Sequence, residues 1–107
     1  MPSFYVSEVR KALVTIRNPN PIDLPCNVFF ATGLIWWGPV AITIPGNSQG
    51  VVLFTVDMAQ VGVGAGVSAK EVYVSVTDAA GKNILTAQGE NLNLYAVGVE
   101  LVDIVWT

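Results

Sequence analysis

Apolar and polar residues alternate with a period of two along most of the chain, and this is the periodicity of half-buried β-strands. The clearest case is the run in which Val72, Val74 and Val76 share one face while Tyr73 and Ser75 lie on the other. The same alternation predicts inward faces elsewhere, at Ala12/Val14/Ile16, Val28/Phe30, Val40/Ile42/Ile44 and Val52/Phe54/Val56. The helical period of 3.6 residues is almost absent, so the pattern predicts an all-β protein.

Turn-forming residues divide these apolar runs into seven or eight predicted strands. Asn18-Pro19-Asn20-Pro21, the segment 45–50 and Asp78-Ala79-Ala80-Gly81 are the clearest turns, and the last predicts a hairpin whose Gly81 has a positive φ. The segment 61–67 alternates with glycine and predicts a mobile loop or a weak edge segment, with Gly62 to Gly66 at its centre. The predicted strand regions are 4–17 with a break near Glu8, 26–32, 34–44 with a bend at Gly38-Pro39, 51–57, 72–77, 82–88 and 92–106.

Strands of this number, with turns about every 8–12 residues, are typical of an antiparallel β-sandwich. The chain has 107 residues, which is the size of one domain. We therefore expect the whole of 1–107 to form a single antiparallel β-sandwich of seven to eight strands.

Composition excludes several classes of function. Hydrophobic residues make up 52% of the chain and charged residues 12%, so it is not a disordered tail. A net charge of −3 and a pI near 4.5 oppose nucleic-acid binding, which needs clustered Lys and Arg. The sequence contains no His and a single Cys, which removes histidine catalysis, histidine metal sites and intrachain disulfides.

The middle of the chain is free of charge for 33 positions, from Asp23 to Asp57, and so raises the question of a membrane span. Gly33, Gly38 and Pro39 interrupt this run, and its Val, Ile, Phe, Trp and Thr residues fit a pleated sheet better than a helix. We therefore expect a pair of buried strands here and no membrane span.

Three segments together resemble an immunoglobulin-like or fibronectin type III-like sandwich. They are Val14-Thr15-Ile16-Arg17-Asn18-Pro19-Asn20, Ile44-Pro45-Gly46-Asn47-Ser48 and Val74-Ser75-Val76-Thr77-Asp78. The nearest resemblance is to the cell-adhesion-related domain of bacterial and archaeal surface proteins. That resemblance covers most of the chain and implies an immunoglobulin-like fold with a non-catalytic spacer, adhesive or assembly role.

Residues suited to catalysis or metal binding are few, and we predict no catalytic, cofactor-binding or metal-binding residues. Asn18, Asn20 and Asp23 are oxygen donors close in sequence, but they fit a capped turn better than a calcium loop. Cys26 begins an apolar strand with no cation nearby, which predicts a buried, inert thiol. The carboxylates are scattered and lie mostly at strand ends: Glu8, Asp23, Asp57, Glu71, Asp78, Glu90, Glu100 and Asp103.

Aromatic and aliphatic residues on both faces of several strands indicate contact surfaces. Trp36 and Trp37 are adjacent, so on a strand they point to opposite faces. Phe29 and Phe30 raise the same question, and both faces of the segment 99–106 are apolar. A lone sandwich leaves the outer face of each sheet in water, so apolar outer faces indicate partners. The candidate partner-binding residues are Phe29, Trp36, Trp37, Tyr73, Leu101 and Trp106.

These features predict a non-catalytic structural or assembly protein that associates with itself or with a larger assembly. A small virion component, such as a decoration, turret or spike subunit, fits best, and a surface-filament subunit fits nearly as well. The alternative is a carbohydrate- or peptide-binding module that uses Trp36 or Trp37. The N-terminal order of apolar and basic residues differs from that of a secretory signal, and we expect the protein in a virion or other assembled particle.

Overall fold

A computed structural model describes residues 2–61, 67–95 and 103–106. About two thirds of these residues belong to strands, as the alternation predicts, and one short helix follows the fifth strand. The elements are β1 (Ser3–Tyr5), β2 (Val9–Asn18), β3 (Leu24–Thr32), β4 (Ile35–Ile44), β5 (Ser48–Asp57), α1 (Met58–Val61), β6 (Val67–Lys70), β7 (Val72–Asp78), β8 (Asn83–Gln88) and β9 (Leu92–Tyr95).

Two antiparallel sheets form the body of the molecule. A four-stranded sheet has the order β4-β3-β7-β8, and a two-stranded sheet joins β2 to β5 over ten residue pairs, from Val9↔Asp57 to Asn18↔Ser48. A smaller sheet has the order β1-β9-β6, and its β1–β9 pair is parallel, an arrangement that the sequence did not indicate. The all-β class and the packing of antiparallel sheets against each other confirm the predicted sandwich.

The core lies between the sheets and is made mainly by the alternating positions that the sequence singles out; Met58, Leu92 and Leu94 join it without having been predicted. Phe30 and Phe54 stack across it with ring centroids 5.7 Å apart, which joins the four-stranded sheet to the two-stranded sheet. Val28 and Ile44 are fully buried. The buried cluster as a whole is Val14, Cys26, Val28, Phe30, Ile44, Val52, Phe54, Val56, Met58, Val76, Leu92 and Leu94.

Asn18 ends β2 and holds together two connections at one end of the sandwich. Its side chain is 1% exposed, and its Nδ2 donates to the carbonyl oxygens of Ile22 at 2.9 Å, Ile44 at 3.0 Å and Pro45 at 3.3 Å. Its Oδ1 accepts from the backbone N–H of Asn20 at 3.1 Å. The predicted capped turn is therefore confirmed.

The hairpin between β7 and β8 also follows its sequence signal. The Oδ1 of Asp78 accepts from the backbone N–H groups of Ala80 and Lys82, both at 2.9 Å. Gly81 has a φ of 87°, a conformation that glycine adopts without steric cost. Asp78 is thus a turn residue that organises its own backbone.

The described part of the chain departs from the predicted strands in three places. Residues 103–106 are not in a strand; there the Oδ1 of Asp103 accepts from the N–H of Ile104 at 2.7 Å. Helix α1 was not predicted, and it begins where the Oδ1 of Asp57 caps the N–H of Ala59 at 3.1 Å. Strand β6 begins at Val67, the end of the segment predicted as a loop or weak edge, and runs to Lys70, where no strand was predicted. The predicted bend at Gly38-Pro39 lies within β4, where the register opposite β3 shifts.

The described helix, α1, lacks the length and the run of apolar residues that a membrane crossing requires. The Gly62 to Gly66 segment, for which the sequence predicts a loop, lies outside the described residues.

Candidate protein-interaction surfaces

The outer face of the four-stranded sheet carries an aromatic group, here called the aromatic face and defined by Phe29, Trp36 and Tyr73. Trp36 and Tyr73 both pair with Ala31, one from each side, so they stand two strand spacings apart, about 10 Å. The rings of Phe29 and Trp36 meet edge to face, with centroids 6.4 Å apart, which is a favourable geometry for aromatic pairs. Ala31 is 2% exposed although it is not part of the core cluster, because the larger side chains beside it shield it.

Trp36 is the exposed member of the aromatic face, at 59%, and polar groups lie beside it. The hydroxyl of Tyr73 donates to Oε2 of Glu71 at 2.8 Å. This hydrogen bond, together with desolvation and the negative charge of Glu71, raises the pKa of Tyr73. Gln88 pairs with Tyr73 from β8. The aromatic face therefore combines apolar rings with oriented polar groups.

Trp37 lies on the other side of β4, as adjacent positions on a strand require. Its ring is 6.0 Å from that of Phe30, and it packs against the core cluster. Trp37 is half-buried, so its side chain packs chiefly at the edge of the core and exposes only part of its surface to solvent.

A second apolar surface lies on the outer face of the two-stranded sheet, and we call it the leucine strip, defined by Leu13, Val51 and Leu53. Leu13 and Leu53 are direct cross-strand partners and are 68% and 52% exposed. Val51 is 55% exposed and lies two residues along β5. Lys11 and Thr55 form the next outward pair on the same face. The two outer faces of the sandwich thus both carry exposed apolar side chains.

The fold brings Phe29, Trp36 and Tyr73 together on one face, whereas the remaining predicted contact residues lie elsewhere. Trp106 is 92% exposed, in the segment after the described strands. Leu101 lies outside the described residues. Sequence reasoning missed the leucine strip, although a signal was present: Leu13, Val51 and Leu53 interrupt the polar side of the alternation in β2 and β5.

The described residues offer little reactive chemistry. Cys26 is 3% exposed, and burial raises the pKa of its thiol, so the thiolate is disfavoured in the folded chain. Within residues 2–61, 67–95 and 103–106, no group of three or more Cys, Asp or Glu side chains is placed to hold a metal ion. Asp23 has a structural partner, since its Oδ1 accepts from the N–H of Gly46 at 3.0 Å.

The sequence matches no protein-family model, and no curated protein sequence is significantly similar to it.

Proposed function

We propose that this chain is a non-catalytic structural subunit of a larger protein assembly. The observation that carries the proposal is the presence of exposed apolar side chains on the outer faces of both main sheets, the aromatic face and the leucine strip. The outer faces of an isolated sandwich are ordinarily polar, and large exposed apolar patches mark interaction sites.

The energy available from covering these faces is large enough for association. A tryptophan buries roughly 200 Å² in an interface, so covering the exposed 59% of Trp36 removes roughly 120 Å² of surface. At about 25 cal/mol per Å² this contributes roughly 3 kcal/mol before the entropic cost of association. The leucine strip is a second exposed apolar surface, on the outer face of the other sheet. A subunit that has a neighbour on each side needs two such surfaces.

A small virion component or a surface-filament subunit fits this description best. Both are built from many copies of small chains, which cover part of one another's surface. The charged fraction of 12% suits a subunit whose surface is largely covered, because an isolated domain averages about 25%.

The strand order supports an immunoglobulin-like origin for the sandwich. In the immunoglobulin fold, strands B and E are neighbours in one sheet and strands C, F and G in the other. The pairs β2–β5 and β3–β7–β8 follow this order, with β4 beside β3. We propose this relationship on the strand order alone, and function does not follow from it.

Size-exclusion chromatography with light scattering tests the proposal on the full chain. We expect Trp36→Asp and Leu53→Asp to reduce the association of the wild-type chain, because each places a charge in a covered apolar face. Thr43→Asp is the matched control, because Thr43 is also exposed and lies on the same strand as Trp36 but seven residues away from it. Equal behaviour of all these variants and the wild type would contradict the proposal.

A carbohydrate-binding module is the second candidate, and the aromatic face favours it. An exposed indole beside the oriented Tyr73 hydroxyl and Glu71 carboxylate offers a stacking surface next to hydrogen-bonding groups. A glycan array with the wild type and Trp36→Ala tests this function. Binding that the variant loses supports it, and the absence of any wild-type signal rejects it.

A further inference from the structure

An apolar groove runs along one side of the sandwich, where β2 faces β8. The two-stranded sheet is narrower than the four-stranded sheet, so the inner face of β8 is only partly covered. Leu85 shows this directly: it pairs with Val76, which is 2% exposed, and yet Leu85 itself is 41% exposed. Because Leu85 faces the core and is still 41% exposed, no strand or helix in the described part of the chain fully covers it.

The groove consists of two adjoining cavities of about 370 and 290 Å³. Both are lined by Ile16, Arg17 and Leu85, so they form one continuous channel, here called the lateral groove. Its walls are mainly apolar: Val14 and Ile16 come from β2, and Leu24, Val74, Val76, Ile84, Leu85 and Ala87 come from the four-stranded sheet.

Backbone groups along the lateral groove are available to an added strand. Among the described residues, β2 pairs with β5 alone and β8 pairs with β7 alone. Each of these strands therefore has an edge with unpaired N–H and C=O groups, which is a template for another extended segment. A strand beside β2 would lie about 4.8 Å from it and cover the inner face of β8 from about 10 Å.

The charged residue that lines the lateral groove indicates which kind of segment can bind there. Arg17 lines both cavities, and neither lining contains a carboxylate. Within the described residues, Arg17 has no ion-pair partner. The groove therefore fits an extended apolar segment that carries a negative charge.

The chain itself contains a segment of this chemistry. Ile104, Val105 and Trp106 are 64%, 73% and 92% exposed, and the exposed carboxylate of Asp103 precedes them. Residues 103–106 are outside the described strands, and these three side chains leave most of their apolar surface uncovered. Their apolar surface and their acidic residue complement the lateral groove and Arg17.

We propose that residues 103–106 of a second copy add as a strand in the lateral groove, with Asp103 beside Arg17. The contact is head to tail, because groove and segment are different surfaces, and repetition of it builds a chain of subunits. This inference rests on the proposed assembly function and specifies how one copy holds the next.

Charge reversal tests the contact in the full-length protein by sedimentation velocity. We expect Arg17→Glu and Asp103→Arg each to weaken association about tenfold or more, since each places like charges together at a partly desolvated site. An equimolar mixture of the two variants restores association, because each groove then meets a segment of opposite charge. Lys82→Glu, a charge reversal outside both cavity linings, is the control and leaves association unchanged.

The outcomes separate this inference from the proposed function. If the wild type associates and neither reversal weakens it, the groove contact is wrong and the assembly function stands. Weakening without rescue in the mixture also overturns the contact. If the wild type stays monomeric at every concentration, the assembly function fails as well.

Disulfide trapping identifies which copy supplies the segment. The double variant Arg17→Cys/Asp103→Cys is oxidised and run on a non-reducing gel. Covalent dimers and longer ladders support a second copy as the donor. A bond formed within one chain, with no ladder, shows that the subunit's own segment fills the groove and overturns the proposal.

Discussion

Replacing Asn18 by alanine tests the reasoning about how the two sheets are joined. The Asn18 amide links the end of β2 to the carbonyl oxygens of Ile22, Ile44 and Pro45 and to the backbone N–H of Asn20. The side chain is 1% exposed, so water does not replace these bonds without rearrangement. At about 1 kcal/mol for each net hydrogen bond, with part of the loss recovered by solvation of the half-buried partners, we expect Asn18→Ala to cost about 3 kcal/mol.

That loss is large beside a total stability of about 5–15 kcal/mol for a single domain. Urea denaturation followed by circular dichroism measures it, and the midpoint should fall with an unchanged slope. Asn20→Ala is the matched control, because its exposed side chain gives up a single side-chain bond, to Oδ1 of Asn18 at 3.2 Å. A loss of no more than about 0.5 kcal/mol for Asn18→Ala, the range of ordinary surface substitutions, would refute the reasoning.

Asn18→Asp extends this test to pH. The introduced carboxylate faces carbonyl oxygens and cannot donate to them, so its charged form is disfavoured and its pKa is raised in the folded state. A raised pKa means that the stability of this variant is highest below the unfolded pKa of about 3.9 and falls as pH rises. Stability of Asn18→Asp that rises from pH 4 to pH 7 relative to the wild type would contradict the assigned orientation of the amide.

Three further substitutions test separate features of the fold. Thr32 is 0% exposed and its Oγ1 has no hydrogen-bond partner among the described residues, so Thr32→Val should stabilise the chain by about 1 kcal/mol in thermal melts; a destabilised variant would show that the hydroxyl has a partner. A Cβ at Gly46 would meet the backbone of Pro21, so Gly46→Ala should cost more stability than Gly89→Ala, whose Cβ would come no closer than 3.6 Å to the side chain of Val72, and the reverse order would be inconsistent with this packing. Because burial raises the pKa of Cys26, its contribution to stability should be lost as pH rises above the ordinary thiol value of 9.0, and Cys26→Ala should lack this decline.

Much of the fold follows from local pattern. The alternation in β2, β5 and β7 predicts which side chains face the core, and the Asp78–Gly81 hairpin follows from the preference of each residue for its turn position. These features are predictable because they depend on neighbours within a few residues of each other in the sequence.

Other features depend on contacts between distant parts of the chain. Adjacency requires Trp36 and Trp37 to face opposite ways, yet the strand register alone decides that Trp37 meets Phe30 inside and Trp36 meets Phe29 outside. The parallel β1–β9 pair joins residues about 90 positions apart, which no local periodicity encodes. The lateral groove arises from the unequal widths of the two sheets, so it too is a property of the tertiary structure.

Sedimentation velocity of the unmodified chain over a wide concentration series tests the central claim most directly. The exposed apolar side chains of the aromatic face and the leucine strip predict a sedimentation coefficient that rises with concentration, as subunits cover these faces. A single monomeric species throughout the series, up to high micromolar concentration, would contradict the claim that these surfaces exist to be covered.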